Sequence, residues 1–306
     1  MNNLIVAFGN PVYDLIVTPR IVRNERVLSG CSTNACLAVT KLGGRAKLIG
    51  TVGDDFKAVL VKDLQQRNIE FNLLRSEQTG GFSLIYDDRG DRELSVLGIA
   101  NPIPATINGH QDADFILLGP ILGEIDTTLL LNIRKTSNAP ILLDPQGVLR
   151  IIKENQIVHE ISKTFTDLAK NSTIVKANEI ETYTVTGMDP RKDPIGAVKA
   201  LYKFGCKIAI VTLAEAGSII YDGNEINQIP AFSTNAIDPT GAGDTYAAGF
   251  MVKYLENPSD LHLVGCFASA VASVMVENSG PDFPLTRDEA DRRTNLLLKL
   301  PGKLIL

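Results

Sequence analysis

Hydrophobic and polar positions along this chain switch between two periods. "LIVAFG" (Leu4 to Gly9) is a short continuous apolar run, the pattern of a strand buried on both faces. "CSTNACLAVTKLG" recurs at helical spacing and stops at Gly43 and Gly44, where a helix C-terminus is expected. "AKLIGTVG" returns to the strand pattern, and "FKAVLVKDLQQRN" predicts an amphipathic helix with Val59, Leu60 and Leu64 turned inward. "GFSLIYDDRGDRELSVLG" differs: two period-2 runs flank "DDRG", which predicts a hairpin with its turn at Arg89-Gly90.

Strand and helix patterns then alternate again. "ADFILLG", "APILLDPQG", "STIVKAN" and "KIAIVTLAEAG" are apolar runs separated by helical segments such as "PIGAVKALYKFG". A second hairpin-like piece, "SIIYDGNEINQIPAF", precedes two further helices, "TYAAGFMVKYLEN" and "LHLVGCFASAVASVMVEN". This order predicts an α/β fold: a doubly wound, mostly parallel sheet flanked by helices, with a few strands outside it as a small flap. No linker, repeat or low-complexity segment interrupts it, so residues 1–306 read as a single domain.

Composition narrows the functional classes. An apolar fraction of 44% supplies a sizeable core, and a formal charge of −5 without a basic run argues against a nucleic-acid partner. The most apolar stretch, "FILLGPILG", is far shorter than the roughly 20 residues of a membrane span. The N-terminus carries no basic-then-apolar leader, and the four cysteines lack metal-site spacing, so a cytoplasmic setting is expected. The isolated histidines, with no HExxH or GxSxG, give no support to zinc or triad hydrolysis.

The polar residues with chemical potential follow predicted strands, at the sheet edge where open α/β folds bind ligands. Asn10 and Asp14 follow the first strand, and Asp54 and Asp55 another; Asp144 and Gln146 follow "APILL", and Asn178 and Glu181 follow "TIVKA". The sharpest signal is "DPTGAGDTYAAGF", Asp238 to Phe250. Gly241, Ala242 and Gly243 bare the backbone where a helix begins near Asp244, an anion site suited to phosphate. An acid there is either an N-cap or a base beside a phosphoryl group; a cap alone needs no Gly-Ala-Gly before it. GxxxxGK[ST] is missing, as is GxGxxG after the first strand, which argues against a P-loop NTPase and a Rossmann oxidoreductase.

"DPTGAGDTYAAGF" resembles the C-terminal motif, DTxGAGD, of the PfkB, or ribokinase-like, carbohydrate kinase family. "GNPVYD", "SGCSTNACLAVTKLGG", "LIGTVGDD", "NEIE" and "VTLAEAG" follow the family order along nearly the whole chain. The resemblance implies an ATP-dependent, Mg²⁺-requiring phosphotransferase acting on a sugar or cyclic polyol hydroxyl. It makes Asp244 the base and Gly241, Ala242 and Gly243 the anion hole. Asp14, Gly30 and Asn34 would grip the substrate; Thr212 and Gly217 would belong to the nucleotide site together with Gly241 and Gly243. Asn178 and Glu181 would hold Mg²⁺, partly through water, and Asp238 with Thr240 would seat a monovalent cation, K⁺, as in some members.

Departures from the family pattern bear on substrate. Ser29-Gly30 replaces the usual Gly-Gly, Cys31 takes a position often polar or Gly, and Val12 stands where ribokinases carry a sugar-binding Asn. Ala214 replaces a commoner Gly in "VTLAEAG". The flap, about residues 14–30 and 80–98, is short and, with "DPQGVLR", resembles archaeal-type members that include inositol kinases. It is expected to act as a β-strand lid, and its edge offers a route to a homodimer. A nucleoside kinase is the alternative within the family, with Tyr13, Phe82 and Tyr86 as candidates to stack a base. A non-catalytic ligand sensor on the same fold is the alternative outside enzymes.

Overall fold

The protein is described by a computed structural model covering residues 3–18, 21–22, 25–86, 92–154 and 156–300. Its strands begin with β1 (Leu4–Phe8), β2 (Val12–Thr18), β3 (Ile21–Val22), β4 (Val27–Ser29), β5 (Arg45–Gly53) and β6 (Glu70–Ser76). They continue with β7 (Gly81–Tyr86), β8 (Arg92–Gly98), β9 (Phe115–Leu118), β10 (Ile141–Leu143), β11 (Arg150–Lys153) and β12 (Gln156–His159). Last come β13 (Ile174–Ala177), β14 (Ile208–Thr212), β15 (Ser218–Tyr221) and β16 (Ile226–Ile229).

The main sheet has nine strands in the order β16-β15-β14-β13-β10-β9-β1-β5-β6. From β14 to β6 every pairing is parallel; β15 and β16 turn back antiparallel at one edge. The chain starts at β1, runs outward to β5 and β6, then returns to β9 on the other side. The order therefore reverses between β1 and β9, the kind of switch point at which such sheets open a crevice.

Strand alternation divides the interior into two cores. Ile5, Ala7, Phe115, Leu117, Leu142 and Ile174 point to one face, among the helices α1 (Cys31–Lys41) and α2 (Lys57–Gln66). Leu4, Val6, Phe8, Ile116, Leu118 and Val175 point to the other, against α3 (Thr127–Thr136), α4 (Gln146–Leu149) and α5 (Lys163–Asn171). α6 (Glu179–Thr186) and α7 (Pro194–Tyr202) lie on that second face; α8 (Ala242–Glu256), α9 (Leu261–Val276) and α10 (Arg287–Leu297) complete the first. Burial on both faces is why these strands read as continuous apolar runs.

A smaller sheet, β3-β2-β7-β8 with β4 paired to β2, stands beside the carboxyl end of the main one. It has its own apolar cluster of Val12, Ile16, Phe82, Leu84 and Ile121, onto which Ile157 of the β11–β12 hairpin packs. The β7–β8 hairpin forms as the alternation predicts, while its expected turn at Arg89-Gly90 lies outside the described residues.

Two local expectations need correction, and two elements carry no expectation at all. Leu60 and Leu64 are buried, but Val59 is 52% exposed: it sits a third of a turn off the Leu60–Leu64 stripe, and α2 buries only that narrow face. The edge strand β6 and the β11–β12 hairpin carried no clear period-2 signal, because each is only half covered. The helix expected to begin near Asp244 begins at Ala242, which changes what Asp244 can do.

Candidate active site

The carboxyl ends of the main strands, the N-termini of α1 and α8 and the inner face of the small sheet enclose a cleft of about 1290 Å³. Single small-molecule pockets run to about 1,000 Å³, so this one has room for two ligands.

α8 starts on Gly241, whose φ of 83° lies in the left-handed region and which makes no side-chain cap bond. Asp244 stands third in the helix and caps nothing. Its carboxylate is turned toward α1, where Asn34 Nδ2 donates to Asp244 Oδ2 at 2.9 Å. Asn34 is itself held by α1, whose N-cap Gly30 has φ 110° and accepts from the Asn34 N–H at 2.8 Å. Burial pushes the Asp244 carboxyl above its ordinary range, and Asp144 adds to the push; Asn34, Lys176 and Cys31 hold it back.

The Gly-Ala-Gly segment admits close neighbours. A Cβ on Gly241 would lie 3.1 Å from Asn34 Nδ2, and one on Gly243 would lie 3.0 Å from Lys176 Nζ. The Ala242 N–H donates to the Pro239 carbonyl at 3.2 Å, whereas Gly243 and Asp244 are first-turn residues whose N–H groups have no intrahelical acceptor. The dipole of a 15-residue helix is added at the same end.

Lys176 was not legible as a site residue, although one signal existed: it is a lone charge inside the apolar run "TIVKA". Its side chain is 3% exposed and pairs with the 4% exposed Asp144 at 2.8 Å. Burial alone would pull the ammonium down, but Asp144 and Glu181 offset this and hold it above its ordinary range. Cys31 sits beside them, with its sulfur and one oxygen each of Asp144 and Asp244 within 4.8 Å of one another. Burial, then Asp144 and Asp244, push the Cys31 thiol far up, so it remains protonated. The Lys176 ammonium already supplies this group with a positive charge.

Asn178 and Glu181 form a reciprocal capping box at the start of α6. Asn178 N donates to Glu181 Oε2 and Asn178 Nδ2 to Oε1, both at 2.8 Å, and Asn178 Oδ1 accepts from Glu181 N at 2.9 Å. Both line the cleft, and Glu181 is buried. Burial and Asp144 raise its carboxyl above the usual range, against Lys176.

On the small-sheet side Asp14 is 4% exposed and accepts from the Phe82 N–H at 2.7 Å. Burial pushes its carboxyl up to about 6, against the Phe82 and Ser29 hydrogen bonds and the charge of Arg150. Arg150 lines the cleft with its guanidinium 5.5 Å from the Phe82 ring centroid. Of the aromatic candidates, Tyr13 turns away, stacked on Phe56 at 4.3 Å with its hydroxyl on Asp63, while Phe82 lines the cleft. The Tyr86 side chain lies outside the described residues.

Thr212, at the end of β14, and Gly217 line the opposite half of the cleft with Phe232, Ala272 and Val276. Gly217 has φ 100°, and a Cβ there would fall 2.1 Å from the Ile229 carbonyl oxygen. Gly217→Ala should therefore lower stability by about 3 kcal/mol in denaturant unfolding. Ala214, where the family motif more often has Gly, adopts φ 46°. Ala214→Gly should relieve that strain and stabilise by roughly 0.5 kcal/mol in the same measurement. Asp238 is fully buried and accepts from Thr240 N at 2.9 Å and Ser279 Oγ at 2.6 Å. Asn10, Asp54 and Asp55 are spent on structure: Asn10 bonds Thr51 and Asn101, Asp54 pairs with Arg75, and Asp55 bonds Thr79.

An acid thus stands beside a helix start in a roomy cleft at the switch point of a doubly wound sheet. Comparison with known proteins names the class. Residues 2–288 match the pfkB family carbohydrate kinases, and the chain belongs to that family; it is a kinase. A cytidine kinase of Thermococcus kodakarensis is 28% identical over 262 residues, 82% of this chain and 88% of its own. A nucleoside kinase of Methanothermobacter thermautotrophicus is 25% identical, with 90% of each chain covered. In fold, the chain superposes on a pyrophosphate-dependent ribokinase-family kinase complexed with a pyrophosphate analogue and myo-inositol (TM-score 0.79, 24% identity, 94% and 99% coverage). The fold is thus ribokinase-like. Membership implies a nucleotide donor and a divalent metal in general. Among the described residues no helix is long and apolar enough to cross a membrane.

Proposed function

We propose that the protein transfers the γ-phosphoryl group of ATP to a hydroxyl of a sugar or cyclic polyol. The observation that carries this reading is the Asn34–Asp244 hydrogen bond of 2.9 Å, which holds a carboxylate at the head of an anion-binding helix, facing the cleft. A hydroxyl is a weak nucleophile until its proton leaves. Asp244 takes that proton as the acceptor oxygen bonds to phosphorus and the bond to the bridging oxygen of ADP breaks. The backbone N–H groups of Gly243 and Asp244, at the end of the Gly-Ala-Gly turn, stabilise charge on the phosphoryl oxygens without reorganising.

The two halves of the cleft suit two different ligands. Asp14, Gly30 and Asn34 line the acceptor side, with Asp14 able to receive hydrogen bonds from sugar hydroxyls. Thr212, Gly217, Phe232, Ala272 and Val276 line the donor side together with Ser233, Thr234, Ser269 and Ser273, a mixed apolar and hydroxyl surface with room for a nucleobase. Asn178 and Glu181 offer the hard oxygen donors that magnesium takes while keeping several waters, and Mg²⁺ there would neutralise donor phosphate charge. The buried Asp238 bonds only neutral donors among the described residues, Thr240 and Ser279, which fits a K⁺ counter-charge nearby. The small sheet, about residues 14–30 and 80–98, is proposed as a lid that excludes water, which would otherwise compete as acceptor.

A nucleoside acceptor is the second reading, favoured by the identity to the Thermococcus cytidine kinase and by Phe82 in the acceptor half. Donor consumption with ATP and with pyrophosphate, across a panel of sugars, inositols and nucleosides, separates the readings. Turnover of a sugar or inositol with ATP is expected. Turnover of nucleosides alone moves the assignment to the second reading; tight binding of one compound without turnover of any would make the protein a sensor.

A further inference from the structure

Lys176 has no role so far beyond pairing with Asp144, and its position calls for one. It stands on β13, on the strand face that carries Ile174 into the α8 core. The side chain nevertheless lines the cleft, and the absence of a Cβ on Gly243 is what lets its ammonium approach the α8 start. A buried ion pair is a poor device for stability alone, because a well-packed apolar pair of the same volume does as well or better. Its place under the turn that would bind phosphate gives it another use.

We propose that Lys176 is a catalytic residue that donates hydrogen bonds to the oxygens of the transferring phosphoryl group, with Asp144 as the positioning residue that orients it. The inference rests on the kinase reading above. The ammonium has three donors, and Asp144 takes one at 2.8 Å. The others are available to an anion seated on the Gly241–Gly243 turn. In the transfer Lys176 keeps all its protons: the acceptor's proton goes to Asp244, the new O–P bond forms, and ADP departs with the electrons of the broken one. A fixed cation beside backbone donors stabilises the charge spread over the phosphoryl oxygens. The same cation sits close to Asp244 and helps keep that base ionised.

The test uses the full-length protein and two readouts, turnover and the separate affinities for ADP and for the non-hydrolysable imido analogue of ATP. K176M should slow turnover about 10²–10³-fold. It should also weaken the ATP analogue about tenfold while leaving ADP within about twofold. K176R, which keeps a cation, should recover part of both. K176M leaves Asp144 buried without its partner and can cost the fold, so K176M/D144N, with both charges gone, is made alongside. It should unfold at a temperature near the parent's and stay as slow as K176M. Full turnover in the double variant would show that Lys176 only balances Asp144, and would overturn the proposal. So would equal loss of ADP and analogue binding in a folded variant. The binding ratio needs no acceptor, so a wild-type protein that prefers the analogue yet phosphorylates nothing would count against the kinase reading and leave the assignment of Lys176 to be decided by K176M binding alone.

Discussion

Asp244→Asn should fold as the parent does and lose turnover by about 10²–10⁴-fold, the range for removing a general base. Folding is spared because the Asn34 Nδ2 that donates to Asp244 at 2.9 Å can donate to an amide oxygen as well. The substitution also removes a carboxylate that burial and Asp144 already strain toward its neutral form. Turnover is lost because an amide cannot take the acceptor's proton. The affinity for both substrates should hold within a few-fold, so the loss falls on kcat rather than KM. Steady-state kinetics and a thermal melt check both halves; an Asn variant with near-parental kcat would remove Asp244 from the mechanism.

Asp14→Asn should lower kcat/KM for the acceptor by about 10²-fold while the donor KM stays put, since a carboxylate bonds a hydroxyl far more strongly than an amide does. It should also move the pH profile. Burial raises the Asp14 carboxyl to about 6, so activity that needs its ionised form should fall as pH drops below about 6. In the variant the part of that acid limb owed to Asp14 is lost, leaving what Asp244 imposes. The stability effect has the opposite sign. A carboxyl whose folded pKa lies above its unfolded one holds its proton better when folded. Its contribution is fully present below about pH 4 and is lost as pH rises through about 6, a loss of roughly 3 kcal/mol at most. Asp14→Asn escapes that loss and keeps an oxygen for the Phe82 N–H, so its melting temperature at pH 8 should not fall below the parent's. Kinetics from pH 5 to 8 and melts at pH 4 and 8 decide the matter; an unchanged kcat/KM for the acceptor would take Asp14 out of acceptor binding.

The parts of the fold that could be read in the chain were those whose local pattern coincides with their burial. β1, β9 and β10 are apolar throughout because both faces are covered, and α1 stops where Gly43 follows its last turn. Val59 departs from its expected place for the same reason in reverse: an apolar residue at the border of a helical stripe carries no mark of which side is covered. β6 and the β11–β12 hairpin leave no legible pattern because half-covered edges lack a clean period. For the site, spacing located the Gly-Ala-Gly turn and the Asn178/Glu181 pair, since both are local motifs built on a helix start.

What the sequence by itself determined is the alternation of strands and helices and the local chemistry of each helix start. These depend on neighbours within a few residues, where periodicity and glycine placement act. Tertiary structure alone decided that Asp244 is not a cap, because its partner Asn34 lies 210 positions away. It alone decided that Lys176 meets Asp144 under Gly243, and that Cys31 joins them. Parallel strands gather their carboxyl ends at one edge from distant parts of the chain, and the low dielectric there turns scattered charges into one coupled group. No local pattern records which of those charges will meet.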